Sequence, residues 1–560
     1  MQITDNIRRF GEISDELLDT IWRSNPPAAT LVGIHRYDHT LGDVTESAWE
    51  EYARRFKRQV EALQSEVDPL LFDDQQALDY HIAVSLASSS FIALEYQRPW
   101  TRDPSVYPGL GIWGCLSLLM RDFAPVEERA EALLGRLREI PDMLESGKCN
   151  LPNPPPVLIQ AAGEVVDGGL SFLRTAVPEV AAQVPRLESD LLAANERAVS
   201  AYEAYRAWLV EDLLPRAHGD LGVGLDVYQQ LLFAEHYLTY SPGELVLLAQ
   251  GVLRETLEEI REVGRQLDPS ASWEELISRL KKDHPPRYGL MDAYRAAIES
   301  SRDFTRERGL ASVPSDERLE PAPTPQFLRS TLPYAAYMPP PPFETDRTGY
   351  FWVSEVDPAA TEDQQESQLS GHCVYAIPMK AVHEGYPGHH LQLVRAADLP
   401  SPMRKQAMST LFIEGWALYC EELMHEQGFY GDPRVRLFQL KDLLWRACRV
   451  IIDVGLHTEN MSFEEAVRML VETAHLEEVN AVAEVKRYVM NPTQPMTYLI
   501  GKLLIFDLRN RTKRRLRDRF DLKAFHDELL SYGSVPIPLI AERMGTEHAT
   551  YPQGSDPRKK

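Results

Sequence analysis

"VPRLESDLLAANERAVSAYEAYRAWLVEDLLP", residues 184–215, repeats its apolar residues at helical spacing. Leu187, Leu191, Ala194, Val199, Tyr202 and Tyr205 fall on or near one stripe and charges lie opposite, as in a helix with one buried face. A second long stretch, "SPGELVLLAQGVLRETLEEIREVGRQL" (241–267), opens with a helix-start signal: Ser241 is placed to cap and Pro242 to take the first helical position. Similar periodicity fills 46–66, 126–146, 288–308, 402–427, 436–456, 462–476 and 496–516. Only 330–353, "STLPYAAYMPPPPFETDRTGYFWV", has the aromatic and β-branched texture of one or two short strands. Proline clusters at 152–156 and 339–342 read as loops. These patterns predict a mostly α fold, a large helical body with a minor β element.

At 560 residues the chain can bury a large core, and 44% hydrophobic with 26% charged residues is ordinary globular composition. A formal net charge of −25 argues against a nucleic-acid partner and for good solubility. Five cysteines, Cys115, Cys149, Cys373, Cys420 and Cys448, are scattered without metal-ligand spacing and fit a reducing compartment better than a disulfide framework. The first residues, "MQITDNIRRFGEISDELLDTIWRSNP", hold charges every few positions and no apolar core of signal-peptide length. No stretch approaches the run of about eighteen apolar residues that a membrane helix needs, so no membrane partner is expected. The resulting expectation is a cytoplasmic protein; no feature assigns an oligomeric state.

The chemistry-bearing stretch is "AVHEGYPGHHLQ", residues 381–392. His383 and Glu384 begin a His-Glu-x-x-His zinc-hydrolase signature, but Pro387 stands where the second histidine belongs, and His389 and His390 follow six and seven positions after His383. Histidines at i and i+4 share one helix face and so one ion, and the adjacent glutamate can take a proton from a metal-bound water. On an ideal helix His389 would sit about 9 Å along the axis and roughly 120° round from His383. His390 would be nearly in phase but about 10.5 Å along. A straight helix cannot run unaltered through Pro387. A two-residue bulge at Pro387-Gly388 would return His389 to the face of His383. The alternative is that His383 closes one helix and the adjacent histidines open another.

Two further stretches bear on the choice. "STLFIEGWALYCEELMHEQG" (409–428) reads as a helix closed by Gly428, with Glu414 among Phe412, Ile413, Trp416 and Leu418. A carboxylate there is expensive to bury unless something positive meets it; zinc would serve, and so would an arginine. Glu421, two turns on, is placed either to support the site or to face solvent. Downstream, "EVNAVAEVKRYVMNPTQPMTYLIGKLLIFDLR" (478–509) delivers Tyr498 beside Gly501, where a phenol near a polarised carbonyl could stabilise an oxyanion. Tyr498 and Tyr488 both also suit plain packing.

"HEGYPGHHLQ", "FIEGWALYCEEL" and "AEVKRY…NPTQPMTYLIGK" resemble the hallmark blocks of the bacterial domain-of-unknown-function family number 885, and "GLDVYQQLLFAEHYLTYSPGELVLLAQGVL" (224–253) resembles its entry into the catalytic part. The resemblance spans roughly residues 10 to 550, and its most specific piece is the His-Glu-x-x-Pro-Gly-His-His-x-Gln block. That family in turn resembles the glutamate-type zinc peptidases (gluzincins), such as angiotensin-converting enzyme and the Taq-type carboxypeptidases. The resemblance implies a helical body with a deep catalytic cleft, zinc as cofactor, His383, His389 and Glu414 as metal ligands, and Glu384 as base. It also favours His389 over His390, because Gly-His is how the related motif ends.

The expected function is a zinc-dependent hydrolase of amide bonds, a metallopeptidase acting on peptides or small amides, with Glu384 and Tyr498 as catalytic groups. The alternatives are a helical binding protein with a structural or vestigial metal site, and a hydrolase of a non-peptide amide. Residues 1–220 are expected to form one side of the cleft, and residues 221–560 the catalytic part with the metal site, as one continuous unit.

Overall fold

The computed structural model describes residues 3–325, 335–357 and 360–545. It is 72% helix and 3% strand, so helix packing dominates its architecture. The chain divides into two compact units, Met1–Glu235 and His236–Lys560.

In the first unit the opening stretch forms the helix Glu188–Trp208, which packs on Val126–Asn150 and Pro156–Gln183. Leu191, Ala194, Tyr202 and Tyr205 are buried as the stripe requires, but Ala198 takes the core position and Val199 is only half-buried. Ala198 lies four residues from both Ala194 and Tyr202 and so shares their face. The tyrosine hydroxyls donate to the carbonyls of Pro108 and Pro104, at 2.7 and 2.9 Å, which satisfies their buried polar ends. One helical run, Asp74–Arg102, is long and apolar enough by length and composition to cross a membrane. Leu78, Ile82, Ala83 and Ala87 from this run are buried within the fold.

The second unit carries the motif. Its helix Pro242–Leu267 starts as predicted: Ser241 caps Glu244 and the Glu244 side chain reaches back in a capping box. It lies along Pro433–Thr458. A three-stranded sheet has the order β1 (Arg318–Pro323), β3 (Thr348–Val353), β2 (Ala335–Met338), with β1 parallel and β2 antiparallel to β3. The two later strands fall in the stretch with strand texture, of which 330–334 lies outside the described residues. β1, which contains Pro321 and Pro323, was not expected: only 330–353 has strand texture. As an edge strand it can hold both prolines, whose missing amides do not interrupt a second ladder. The expected helix over 402–427 is two, Pro402–Gln406 and Thr410–Glu426, because the Ser409 amide leaves the helical ladder to donate to the Ser534 carbonyl at 3.0 Å.

Thr410–Glu426 packs closely on Thr497–Leu516 through facing glycines. A Cβ on Gly501 would lie 2.1 Å from the Leu411 carbonyl oxygen, and one on Gly415 2.5 Å from the Gly501 Cα. Gly501→Ala should therefore lower the unfolding free energy by about 3 kcal/mol or more in a denaturant titration, because backbone, not a movable side chain, blocks the methyl.

Behind these helices His526 is fully buried, its Nδ1–H donating to the Leu310 carbonyl at 2.6 Å and its Nε2 accepting from the Tyr419 hydroxyl at 2.7 Å. Burial pulls its pKa from 6.5 to about 4, so the folded state prefers the neutral ring. A depressed folded pKa adds stability above the unfolded value and loses it as pH falls. Unfolding free energy should drop by roughly 3 kcal/mol between pH 6.5 and 4 through this ring. A His526→Gln chain, measured in parallel, should show a correspondingly shallower acid slope.

Candidate metal centre

The helix Ile377–Glu384 ends on the motif glutamate, and a second helix, His389–Ala397, begins on the motif histidine. The two-helix reading of the motif is thus the one that forms, not a bulge in one continuous helix. Its hydrogen bonds nevertheless contain the two-residue insertion: the Gly388 amide donates to Val382 O at 3.1 Å and Leu391 to Gly385 O at 3.4 Å, each six residues back. From Gln392, which donates to Gly388 O at 3.2 Å, the ordinary four-residue step resumes. Only glycine fits at 388, where a Cβ would lie 2.0 Å from His383 O and 2.2 Å from Val382 O. The Trp416 indole closes the linker by donating to Pro387 O at 2.8 Å.

This linker sets the His389 ring edge-on to that of His383, with centroids 4.7 Å apart. Glu414 meets both: its Oε2 lies 3.3 Å from His389 Nε2 and 3.6 Å from His383 Nε2. The ligand atoms of His383, His389 and Glu414 all lie within 4.8 Å of one another, a set that could hold a metal ion. His383 Nδ1 is 2.7 Å from Glu421 Oε1, which fixes the tautomer that leaves Nε2 facing Glu414. Burial opposes protonation of His383, but Glu414 and Glu421 outweigh it and raise its pKa to about 10.

Glu414 Oε2 is buried without a hydrogen-bond partner, and so is His389 Nδ1. The arginine-paired alternative for a buried glutamate is met instead by Glu422, two turns along the same helix. It receives Arg436 at 2.9 Å and Lys502 at 3.1 Å. Glu414 has no ion pair with an arginine or lysine among the described residues; its cluster fits a cation.

The other sequence-selected groups separate clearly. Glu384 is half-buried next to His383, and its carboxylate has no hydrogen-bond partner among the described residues. Tyr498 is half-buried, with the guanidinium carbons of Arg449 and Arg446 at 4.3 and 5.4 Å from its ring centroid. Burial, and after it the charge of Glu414, raise its pKa above the usual phenol range. Tyr488 is a packing residue, fully buried and accepting from Trp445 Nε1 and Arg449 Nε, each at 3.0 Å.

His390 points away from the cluster. Its Nε2 lies 2.7 Å from Glu317 Oε2 and its Nδ1 3.0 Å from the Tyr337 hydroxyl of β2. Tyr386 also donates to Glu317, and Arg302 pairs with it at 2.7 Å. Sequence reasoning missed Glu317, Tyr337 and Arg302, which come from separate elements with no spacing signal; a histidine doublet with one member assigned to the metal was the available hint.

The sequence profile described as "Bacterial protein of unknown function (DUF885)" matches residues 26–544. The chain belongs to this family. No curated protein matches its sequence. Two solved structures share the fold of this DUF885 chain. One, a putative lipoprotein of unknown function from Shewanella oneidensis, is 24% identical with a TM-score of 0.80, over 96% of this chain and 99% of its own. The other, a putative lipoprotein from Colwellia psychrerythraea, is 19% identical with a TM-score of 0.81, over 95% of this chain and 98% of its own.

Those descriptions contradict the cytoplasmic expectation, which rested on the scattered cysteines, the charged first residues and the lack of a long apolar run. Cys115, Cys373, Cys420 and Cys448 are buried, and burial raises the thiols of Cys115 and Cys448 to about 12. Thiols shielded in this way stay free in an oxidising compartment too, so their number does not report the compartment.

His390→Ala in the DUF885 chain should lower stability by about 1–3 kcal/mol, because Glu317 loses one of its buried donors. Chemical denaturation of the purified variant measures the loss.

Proposed function

We propose that the chain is a zinc-dependent hydrolase of amide bonds, a metallopeptidase that acts on short peptides in a cleft like that of the glutamate-type zinc peptidases. The observation that carries this reading is the convergence of His383, His389 and Glu414, with Glu421 on the far nitrogen of His383. Two imidazoles and a carboxylate are a catalytic zinc donor set that leaves a position for water or substrate. Bound there, zinc would supply Lewis acidity toward the scissile carbonyl and lower the pKa of a water.

The chain's own residues supply the rest. Glu421 orients His383 by holding Nδ1, which leaves Nε2 as the nitrogen that would face a metal. Glu384, unengaged and adjacent, takes the proton of the attacking water and returns it to the leaving amine. Tyr498 keeps its proton, since burial and Glu414 raise its pKa, and donates to the developing oxyanion. The putative-lipoprotein neighbours favour peptides met at the cell envelope as substrates.

Protein purified without chelator should contain about one zinc per chain by elemental analysis and should cleave members of a peptide library until chelator is added. Glu384→Gln should stay folded and keep zinc while losing roughly 10²–10⁴-fold in kcat. His389→Ala should lose tight zinc binding and His390→Ala should keep it. No stoichiometric zinc, together with no uptake on titration, would sink the reading.

A further inference from the structure

Three arginines and one carboxylate gather beside Tyr498. Arg449, 3% exposed, donates from Nε to the Tyr488 hydroxyl at 3.0 Å and from Nη2 to Glu484 at 2.9 Å, while its Nη1 is buried without a partner. Arg446, one turn away on Pro433–Thr458, stacks its guanidinium 4.1 Å from the Trp445 ring centroid. It pairs with no acid among the described residues, and its Nε and Nη1 are buried and unpartnered. Arg487 shares Glu484 at 2.8 Å and spends another donor on Gln494 at 2.8 Å. Three positive groups against one negative leave an excess of two charges, in a chain whose net charge is −25.

Buried guanidinium nitrogens without acceptors are expensive, and a planar fork of them matches a carboxylate. Both arginines contact the ring of Tyr498. We infer that Arg446 and Arg449 form a receptor for a substrate carboxylate beside the candidate metal centre, so that the substrates are peptides carrying a carboxylate next to the cleaved bond. The inference deepens the hydrolase reading and rests on it for the bond cleaved, but binding of the carboxylate stands apart from turnover. The carboxylate belongs either to a chain terminus or to an acidic side chain.

The test is calorimetric titration of the full chain, zinc-free and zinc-loaded, with N-acetyl-Ala-Ala, its C-terminal amide, and N-acetyl-Ala-Asp amide. The free acid should bind at least about tenfold more tightly than the neutral amide. Arg446→Gln, a half-buried site whose change leaves the Arg449–Glu484 pair intact, should abolish that preference, and Arg446→Lys should restore part of it. Tight binding of the aspartyl amide supports the receptor and assigns it to a side chain; tight binding of the free acid alone supports it and assigns it to a chain terminus. Equal binding of acid and neutral amide by the unaltered chain, no binding of any probe, or a preference that survives Arg446→Gln in a folded variant overturns it. Carboxylate binding in a chain that takes up no zinc and cleaves no peptide would overturn the hydrolase reading alone.

Discussion

The amide of Gly388 reaches the carbonyl of Val382, six residues back where a helix would reach four, and the arrangement of the site follows from that departure. Two extra residues in the step bring His389 round to the side of His383 and turn His390 the other way, toward Glu317. The step needs a residue without a side chain at 388, because the carbonyls of Val382 and His383 occupy the space a Cβ would fill. It also needs a fixed exit direction, which the Trp416 indole supplies through Pro387 O. Trp416 belongs to the helix that carries Glu414, so one hydrogen bond registers the histidine linker against the carboxylate it must meet.

That helix, Thr410–Glu426, buries three carboxylates and gives each a different counterpart. Glu422 is neutralised by Arg436 and Lys502, and Glu421 is spent on His383 Nδ1. Glu414 pairs, among the described residues, with imidazoles alone, at distances beyond a good hydrogen bond. Full-length cations were within evolutionary reach, since the same helix uses them two turns later. The weak pairing at Glu414 is therefore a feature of its surroundings and not a shortage of partners. Imidazoles can give up a proton in favour of a metal at neutral pH, whereas lysine or arginine would fill the position permanently.

Much of this was legible in the sequence. The Ser241 cap, the Glu188–Trp208 stripe and the apolar setting of Glu414 are local patterns, and local patterns survive folding. His389 was preferred to His390 for the bulge that Pro387-Gly388 allows and for the ending of the related motif, against the angular arithmetic of an unbroken helix; the chain forms two helices instead of one bulged helix, with the His389 ring beside that of His383. What stayed hidden was non-local. β1 contains prolines that only an edge position tolerates, and edge position is set by the partner strand. The break at 407–409 depends on Ser534, over a hundred residues away, and the fate of His390 depends on Glu317 and Tyr337 from other elements. Compartment was misread in part because free cysteines carry little information once four of the five are buried.

The paired glycines of Thr410–Glu426 and Thr497–Leu516 connect these levels. Gly415 directly follows Glu414, and Gly501 lies three residues after Tyr498, so this close approach of the helices sits beside two of the candidate site residues. A Cβ at either glycine would meet backbone of the facing helix and force the two helices apart. Helix contact, usually a matter of core packing alone, here also bears on the spacing between the candidate ligand Glu414 and Tyr498. The ring of Tyr498 is in turn packed by the guanidiniums of Arg449 and Arg446. Small residues where two helices cross, and large cationic ones against the ring, are two parts of the packing around the candidate site.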